Sequence, residues 1–325
     1  MYDYAVLFPG QGSQYVGMGK ALAAAYPEAA HIFKQADEIL GFPLSTLCFY
    51  GPEADLNNTV YAQPAILTTS IAAWQVLRQH IGMEQPPLAL AGHSLGEYSA
   101  LVASGALDFA DALRLVCARG QAMQQAGTQA PGAMLAVLGM KMSRVEALRT
   151  EIANETGLVI EIANDNCPGQ VVLSGHRQAL ELFADRCEAW GSLQPAQMLN
   201  VSIAAHSSLM QSALPDFLAV LCTIPIREPV FPVVGNTTAD WLASTDAVYA
   251  ELQAQLTAPV RWYESLQLML DLPLRTVVEL APGKTLTGIM RYISRTVKRL
   301  NVGDDPAEFH QIITLLSSTA SLIVE

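Results

Sequence analysis

Apolar positions along this chain fall into short unbroken runs that alternate with longer stretches of helical repeat. Residues 5–8, 88–91, 230–234 and 276–280 are apolar runs of strand length. Between them, residues 19–26, 27–40, 63–76 and 108–125 carry the helical spacing; in the last, Phe109, Ala112, Leu113, Val116 and Met123 recur on one side. Further helices are expected to open at Pro259-Val260-Arg261-Trp262 and after Pro282-Gly283-Lys284, with residues 305–324 forming one amphipathic helix. Strands alternating with helices in this way predict an α/β layer.

The texture changes at Gly127-Thr128-Gln129-Ala130-Pro131-Gly132. Residues 133–139, 158–163, 170–174 and 195–199 then read as strands, 143–155 and 176–190 as helices, and 164–169 as a turn. Ser143 with Glu146 three residues on predicts a capping box. The order β-α-β-β-α-β is that of a ferredoxin-like unit. The segments on both sides are needed for the α/β layer, so residues 131–200 read as an inserted subdomain, with 1–130 and 201–325 forming the larger one.

The densest chemistry lies at Gly92-His93-Ser94-Leu95-Gly96, between the strand at 88–91 and an expected helix from Tyr98 to Gly105. Strand, G-x-S-x-G, helix is the context of a nucleophile elbow, which presents Ser94 at a helix N-terminus whose free N–H groups favour an oxyanion. A second glycine-rich turn, Pro9-Gly10-Gln11-Gly12-Ser13-Gln14, follows the first strand. It lacks G-x-G-x-x-G and the P-loop lysine, so a phosphate cradle is not expected there.

A serine nucleophile needs a base, and the chain has six histidines. His31 and His80 lie in helical patterns, His310 in the tail and His176 in the inserted unit. His93 should point away from its neighbour Ser94 on the tight turn. His206, among small residues where the chain re-enters the main layer, is best placed, with a core histidine as the plain alternative. No acid is spaced to complete a triad, which leaves a backbone carbonyl to orient the base. Arg119, amid Val116, Cys117 and Ala118, reads by residue type as a snorkelling or salt-bridged side chain.

Composition narrows the classes. A formal charge of −12 argues against nucleic-acid binding. No apolar run approaches the ~18 residues of a membrane span. The five cysteines are scattered and form no C-x-x-C, as expected of reduced thiols in a cytoplasmic protein. The N-terminus carries no basic or Arg/Ser-rich leader.

Several motifs together resemble the malonyl-CoA:acyl carrier protein transacylases and the related acyltransferases of polyketide synthases. They are Phe8-Pro9-Gly10-Gln11-Gly12-Ser13-Gln14, Gly92-His93-Ser94-Leu95-Gly96-Glu97-Tyr98-Ser99 and Arg119-Gly120-Gln121. Ala163-Asn164-Asp165-Asn166 with Pro168-Gly169-Gln170-Val171-Val172, Ala205-His206-Ser207 and Pro282-Gly283-Lys284 complete the set in family order. The resemblance implies a hydrolase-like α/β subdomain with a ferredoxin-like insert. By position it makes Ser94 the acylated nucleophile, His206 its base, the backbone N–H groups of Gln11 and Leu95 the oxyanion hole, and Arg119 the clamp on a malonyl carboxylate. It implies malonyl-CoA as substrate, an acyl carrier protein as partner, no bound cofactor or metal, and a monomer.

Two departures stand out. Ala204 and Ala205 precede His206 where relatives often carry serine or phenylalanine, which leaves strict malonyl selectivity open. Arg261 stands where some relatives have glutamine, in a stretch whose family role is a backbone carbonyl holding the histidine. Leu95, by contrast, favours malonyl over methylmalonyl. A hydrolase acting on carrier-bound thioesters and a non-catalytic carrier-binding subunit are the alternatives, and the presence of Arg119, Ser94 and His206 counts against them. For the carrier, the stretch from Lys284 to Arg299 holds five basic residues and no acid. Read as one helix, it would set Arg291, Arg295 and Lys298 on a single face, with Arg299 beside them, as a docking patch.

Overall fold

The structure is a computed structural model and describes residues 3–82, 85–190, 192, 194–201, 203–303 and 305–318. Its strands are β1 (Tyr4–Phe8), β2 (Ala89–Gly92), β3 (Ala133–Leu138), β4 (Ile160–Cys167), β5 (Gln170–Gly175), β6 (Gln197–Met198), β7 (Val233–Val234), β8 (Thr276–Leu280) and β9 (Lys298–Val302). They form two sheets, a parallel one in the order β7-β2-β1-β8-β9 and an antiparallel one in the order β4-β5-β3-β6.

β1 is buried along its whole length because it lies at the centre of the parallel sheet with helices on both faces. Successive side chains therefore enter different cores. Tyr4, Val6 and Phe8 pack with Ile66, Trp74, Leu101 and Leu113, while Ala5 and Leu7 pack with Trp262, Leu266 and Met290. Phe8 lies level with Gly92, so β1 and β2 end together and release the glycine-rich turn and the elbow side by side. Ligands of open parallel sheets bind at this carboxyl edge.

The antiparallel unit has the strand order of a ferredoxin-like fold, with helices Met142–Thr156 and Arg177–Cys187 packed on Leu135, Val137 and Leu173. From its other face Met134, Ala163 and Val172 join the main core. Main-chain bonds also tie it in, from Val260 N–H to Ala163 O (2.8 Å) and from Asp165 N–H to Val260 O (3.0 Å).

Three expected features differ, and a fourth is described only in part. Residues 164–167 extend β4 rather than turn, because Asn164, Asp165 and Cys167 pair with β5 across two register shifts. The capping box does not form: the helix starts at Met142 with Lys141 as N-cap and no side-chain cap. The basic stretch is not one helix. The helix Thr285–Ile293 stops at an extended Ser294, and Lys298 and Arg299 begin β9, which pairs with β8. At the C-terminus the helix covers Pro306–Ser318, and residues 319–324 of the expected element lie outside the described residues.

Candidate active site

The elbow depends on backbone close approach. A Cβ at Gly92 would overlap the Gly96 carbonyl, and one at Gly96 would overlap the Phe8 carbonyl, so only glycine lets β1, β2 and the helix Gly96–Ala103 converge here. Between them Ser94 takes φ 50°, a left-handed conformation uncommon outside glycine. Its main chain is held from both sides. The Ser94 N–H donates to Asn236 Oδ1 (2.6 Å), and the Ser94 carbonyl accepts from Gln255 Nε2 (3.0 Å).

His206, also left-handed at φ 58°, lies with Nε2 2.8 Å from Ser94 Oγ. Its Nδ1 lies 2.8 Å from Gln255 O and 3.2 Å from Ala258 O. Carbonyls only accept, so Nδ1 carries the proton and Nε2 presents its lone pair to the Ser94 hydroxyl. Burial first, then the positive charge of Arg119 and then His93, lower the His206 pKa to about 3. The imidazole is therefore neutral at neutral pH. Among the described residues no acid touches it; two carbonyls hold the tautomer.

Arg119, on the helix Phe109–Gln129, is 1% exposed. Its Nη2 donates to Ser94 Oγ (3.1 Å) and its Nη1 to Gln63 Oε1 (2.9 Å). Gln63 Nε2 donates to Thr59 Oγ1 (2.9 Å), which donates to Gln11 Oε1 (3.0 Å), linking the guanidinium to the glycine-rich turn. Among the described residues Arg119 has no carboxylate at ion-pair distance, and burial lowers its pKa. A buried guanidinium with no ion-pair partner is costly, on the order of several kcal/mol. The N–H groups of Gln11 and Leu95 donate to no protein acceptor among the described residues and are free for an oxyanion, whereas that of Ser94 is already used. Ser94 is half-buried and open to a ligand. Together these groups equip the site for acyl transfer from an anionic donor.

A family model described as the acyl transferase domain matches residues 6–311. The malonyl CoA-acyl carrier protein transacylase of Escherichia coli strain K12 is 41% identical over 297 residues, covering 91% of this chain and 94% of the relative. That of Bacillus subtilis strain 168 is 41% identical over 304 residues, covering 94% of each. This chain belongs to the malonyl CoA-acyl carrier protein transacylase family. Among solved structures, a type II polyketide synthase acyl-carrier protein in complex with its malonyl-transacylase matches with a TM-score of 0.92 and 38% identity, covering 96% of this chain and 99% of that one. An acyl carrier protein S-malonyltransferase from Vibrio cholerae matches with a TM-score of 0.89 and 39% identity, covering 95% and 99%.

Within this family frame, the structure brings Ser94, His206, Arg119, Gln11 and Leu95 to one place. His93 points away, its Nε2 2.8 Å from Asn166 Oδ1. Ala204 and Ala205 are both buried beside the base. The carbonyls that hold His206 belong to Gln255 and Ala258, not to the 259–262 stretch. Arg261 instead pairs with Glu264 and donates to the Thr237 and Thr238 carbonyls. Lys284 is the N-cap of the helix Thr285–Ile293. Arg291, Arg295 and Arg299 line a surface hollow of about 460 Å³ with Tyr292, so helical spacing does not group them, but the turn into β9 does. Lys298 is exposed beside Arg299 at the amino-terminal end of β9, so this basic group, hollow included, lies toward the sheet edge opposite the carboxyl edge that carries Ser94.

Asn236, Gln255 and Gln63 carried no signal in the sequence. Each acts through an amide that bonds groups far away along the chain, and neither spacing nor residue type marks that. Among the described residues no cluster of His, Cys, Asp and Glu could hold a metal, and no helix is long and apolar enough to cross a membrane.

Proposed function

We propose that this chain moves a malonyl group from malonyl-CoA, through an ester on Ser94, to the phosphopantetheine thiol of an acyl carrier protein, for fatty-acid or polyketide synthesis. The observation that carries this reading is Arg119: a buried cation with no carboxylate at ion-pair distance among the described residues, 3.1 Å from the nucleophile. A malonyl carboxylate supplies the missing charge as a bidentate pair and sets the thioester carbonyl beside Ser94 Oγ.

In the first half-reaction His206 Nε2 takes the Ser94 hydroxyl proton as Oγ adds to the thioester carbon. The N–H groups of Gln11 and Leu95 receive the negative charge on the carbonyl oxygen. Collapse breaks the C–S bond, and the CoA sulfur leaves with the proton from His206. In the second, the carrier thiol gives its proton to His206 and attacks the ester, and Ser94 Oγ recovers the proton. The chemistry needs no metal or bound cofactor, and we place it in the cytoplasm, in a monomer with residues 131–200 as the smaller subdomain.

For the carrier, the support is charge alone, since the basic hollow lies toward the sheet edge opposite Ser94. On a chain of net charge −12, Arg291, Arg295 and Arg299 share a hollow and have no carboxylate partner among the described residues. Most other arginines are paired, for example Arg186 with Glu155 and Arg227 with Asp108.

Intact-protein mass spectrometry after addition of malonyl-CoA tests the first half. One malonyl adduct is expected, absent from Ser94→Ala; an adduct that survives the substitution removes Ser94 as the nucleophile.

A further inference from the structure

Ser94 and His206 are joined a second time, behind the reacting atoms, through a residue that touches neither reacting atom. Glu97 lies one turn after Ser94 and is fully buried. Its Oε1 accepts the Asn236 N–H (2.8 Å), and its Oε2 accepts from Gln255 Nε2. Asn236 holds the nucleophile's turn at two points, since its Oδ1 accepts the Ser94 N–H and its Nδ2 donates to Gly92 O (2.7 Å). Gln255 holds both partners: its Nε2 donates to the Ser94 carbonyl, and its own carbonyl accepts from His206 Nδ1. Bonds thus run in a closed ring from Ser94 to Asn236, Glu97, Gln255 and His206, and back across the 2.8 Å contact to Ser94.

We propose that Glu97 is the positioning residue of this site, fixing the distance and angle between nucleophile and base through Asn236 and Gln255. Two left-handed residues, Ser94 and His206, face each other from segments more than a hundred residues apart in sequence. Neither conformation persists without surroundings that impose it, and the ring supplies those surroundings. Glu251 reinforces it from behind by accepting from the Thr237 and Thr238 N–H groups, so three consecutive N–H groups of the 236–238 loop end on buried carboxyls. Burial, and next the neighbouring Glu251, raise the Glu97 pKa well above the usual carboxylate range. A residue that orients an acyl-transfer base usually contacts the histidine itself. Here the carboxyl acts one residue further back.

The inference rests on acylation of Ser94. Its test is the single-turnover rate of malonyl adduct formation in Glu97→Ala and Glu97→Gln, read with the final fraction acylated and with KM for malonyl-CoA. Glu97→Ala is expected to slow acylation at saturating donor at least tenfold. KM should stay within about threefold because Arg119 and Gln63 sit on other elements, and nearly all the enzyme should acylate in the end. Glu97→Gln, which keeps an acceptor for the Asn236 N–H but alters the Gln255 contact, should acylate faster than Glu97→Ala and still at least threefold below the wild-type rate. If both variants acylate at the wild-type rate, or if only a fraction acylates but does so at the wild-type rate, Glu97 has no positioning role. Should the alanine variant not fold, the glutamine variant decides alone, since a wild-type rate there with the Gln255 contact altered overturns the proposal. Failure of the wild-type protein to form any adduct on Ser94 would instead overturn the functional reading itself.

Discussion

At the scale of single residues, the site is a neutral base beside a buried cation that has no carboxylate at ion-pair distance among the described residues, and the cation acts on the base. Arg119 is among the causes that lower the His206 pKa, so a malonyl carboxylate that neutralises Arg119 makes His206 more basic at the moment it is needed. The acidic limb of kcat for acylation, which reports the complex, should therefore lie at higher pH than that of kcat/KM, which reports the free enzyme. Coincident limbs would mean the two groups are not coupled. Arg119→Ala should cost the malonyl donor about 1.5–3 kcal/mol, roughly tenfold or more in kcat/KM, and leave acetyl transfer little changed or improved. Equal losses for both donors would make Arg119 a structural residue. Ser94 stood out in the sequence through its strand, glycine and helix context, and His206 as the best placed of six histidines; Arg119 read by residue type as a snorkelling or salt-bridged side chain, and only the resemblance of its motif singled it out. Asn236 and Gln255 did not stand out, because they bond Ser94 from 142 and 161 residues away.

At the scale of elements, the misread segments are those where tertiary pairing overrules local pattern. Residues 284–299 look helical by charge spacing, yet Val297, Leu300 and Val302 turn inward and the main chain from Lys298 pairs with β8, so the sheet takes the segment. The elbow, by contrast, was legible because steric need shows in residue type: two glycines flank the serine where no side chain fits. Gly96→Ala should lower stability by about 1–3 kcal/mol, as overpacking does, and reduce acylation of Ser94 as well. A variant with unchanged melting temperature and acylation rate would show that the β1–elbow contact is looser than described. The basic hollow belongs to this scale too. Arg291→Glu with Arg295→Glu should raise KM for the carrier and flatten its salt dependence, with acylation by malonyl-CoA near normal. Loss of both half-reactions together, or of neither, would remove the hollow as the docking site.

At the scale of the molecule, two sheets of different kinds meet beside the base. Val260, two residues after the Ala258 carbonyl that holds His206, pairs with Ala163 and Asp165 of β4, and the Ser208 N–H and hydroxyl bond Glu161 of the same strand. The antiparallel unit thus braces the segments on both sides of the histidine. Its βαββαβ order could be read from the sequence because short apolar runs and turn residues alternate cleanly. The parallel order β7-β2-β1-β8-β9 could not, because strands neighbouring in space are far apart along the chain. The decisive measurement is a chase of isolated malonyl-Ser94 enzyme, free of CoA, with a holo acyl carrier protein, followed by mass spectrometry of both proteins. The malonyl mass should leave Ser94 and appear on the carrier, far faster than it is lost when no carrier is added. Release as free malonate at the same rate with and without the carrier would contradict transfer and leave a hydrolase.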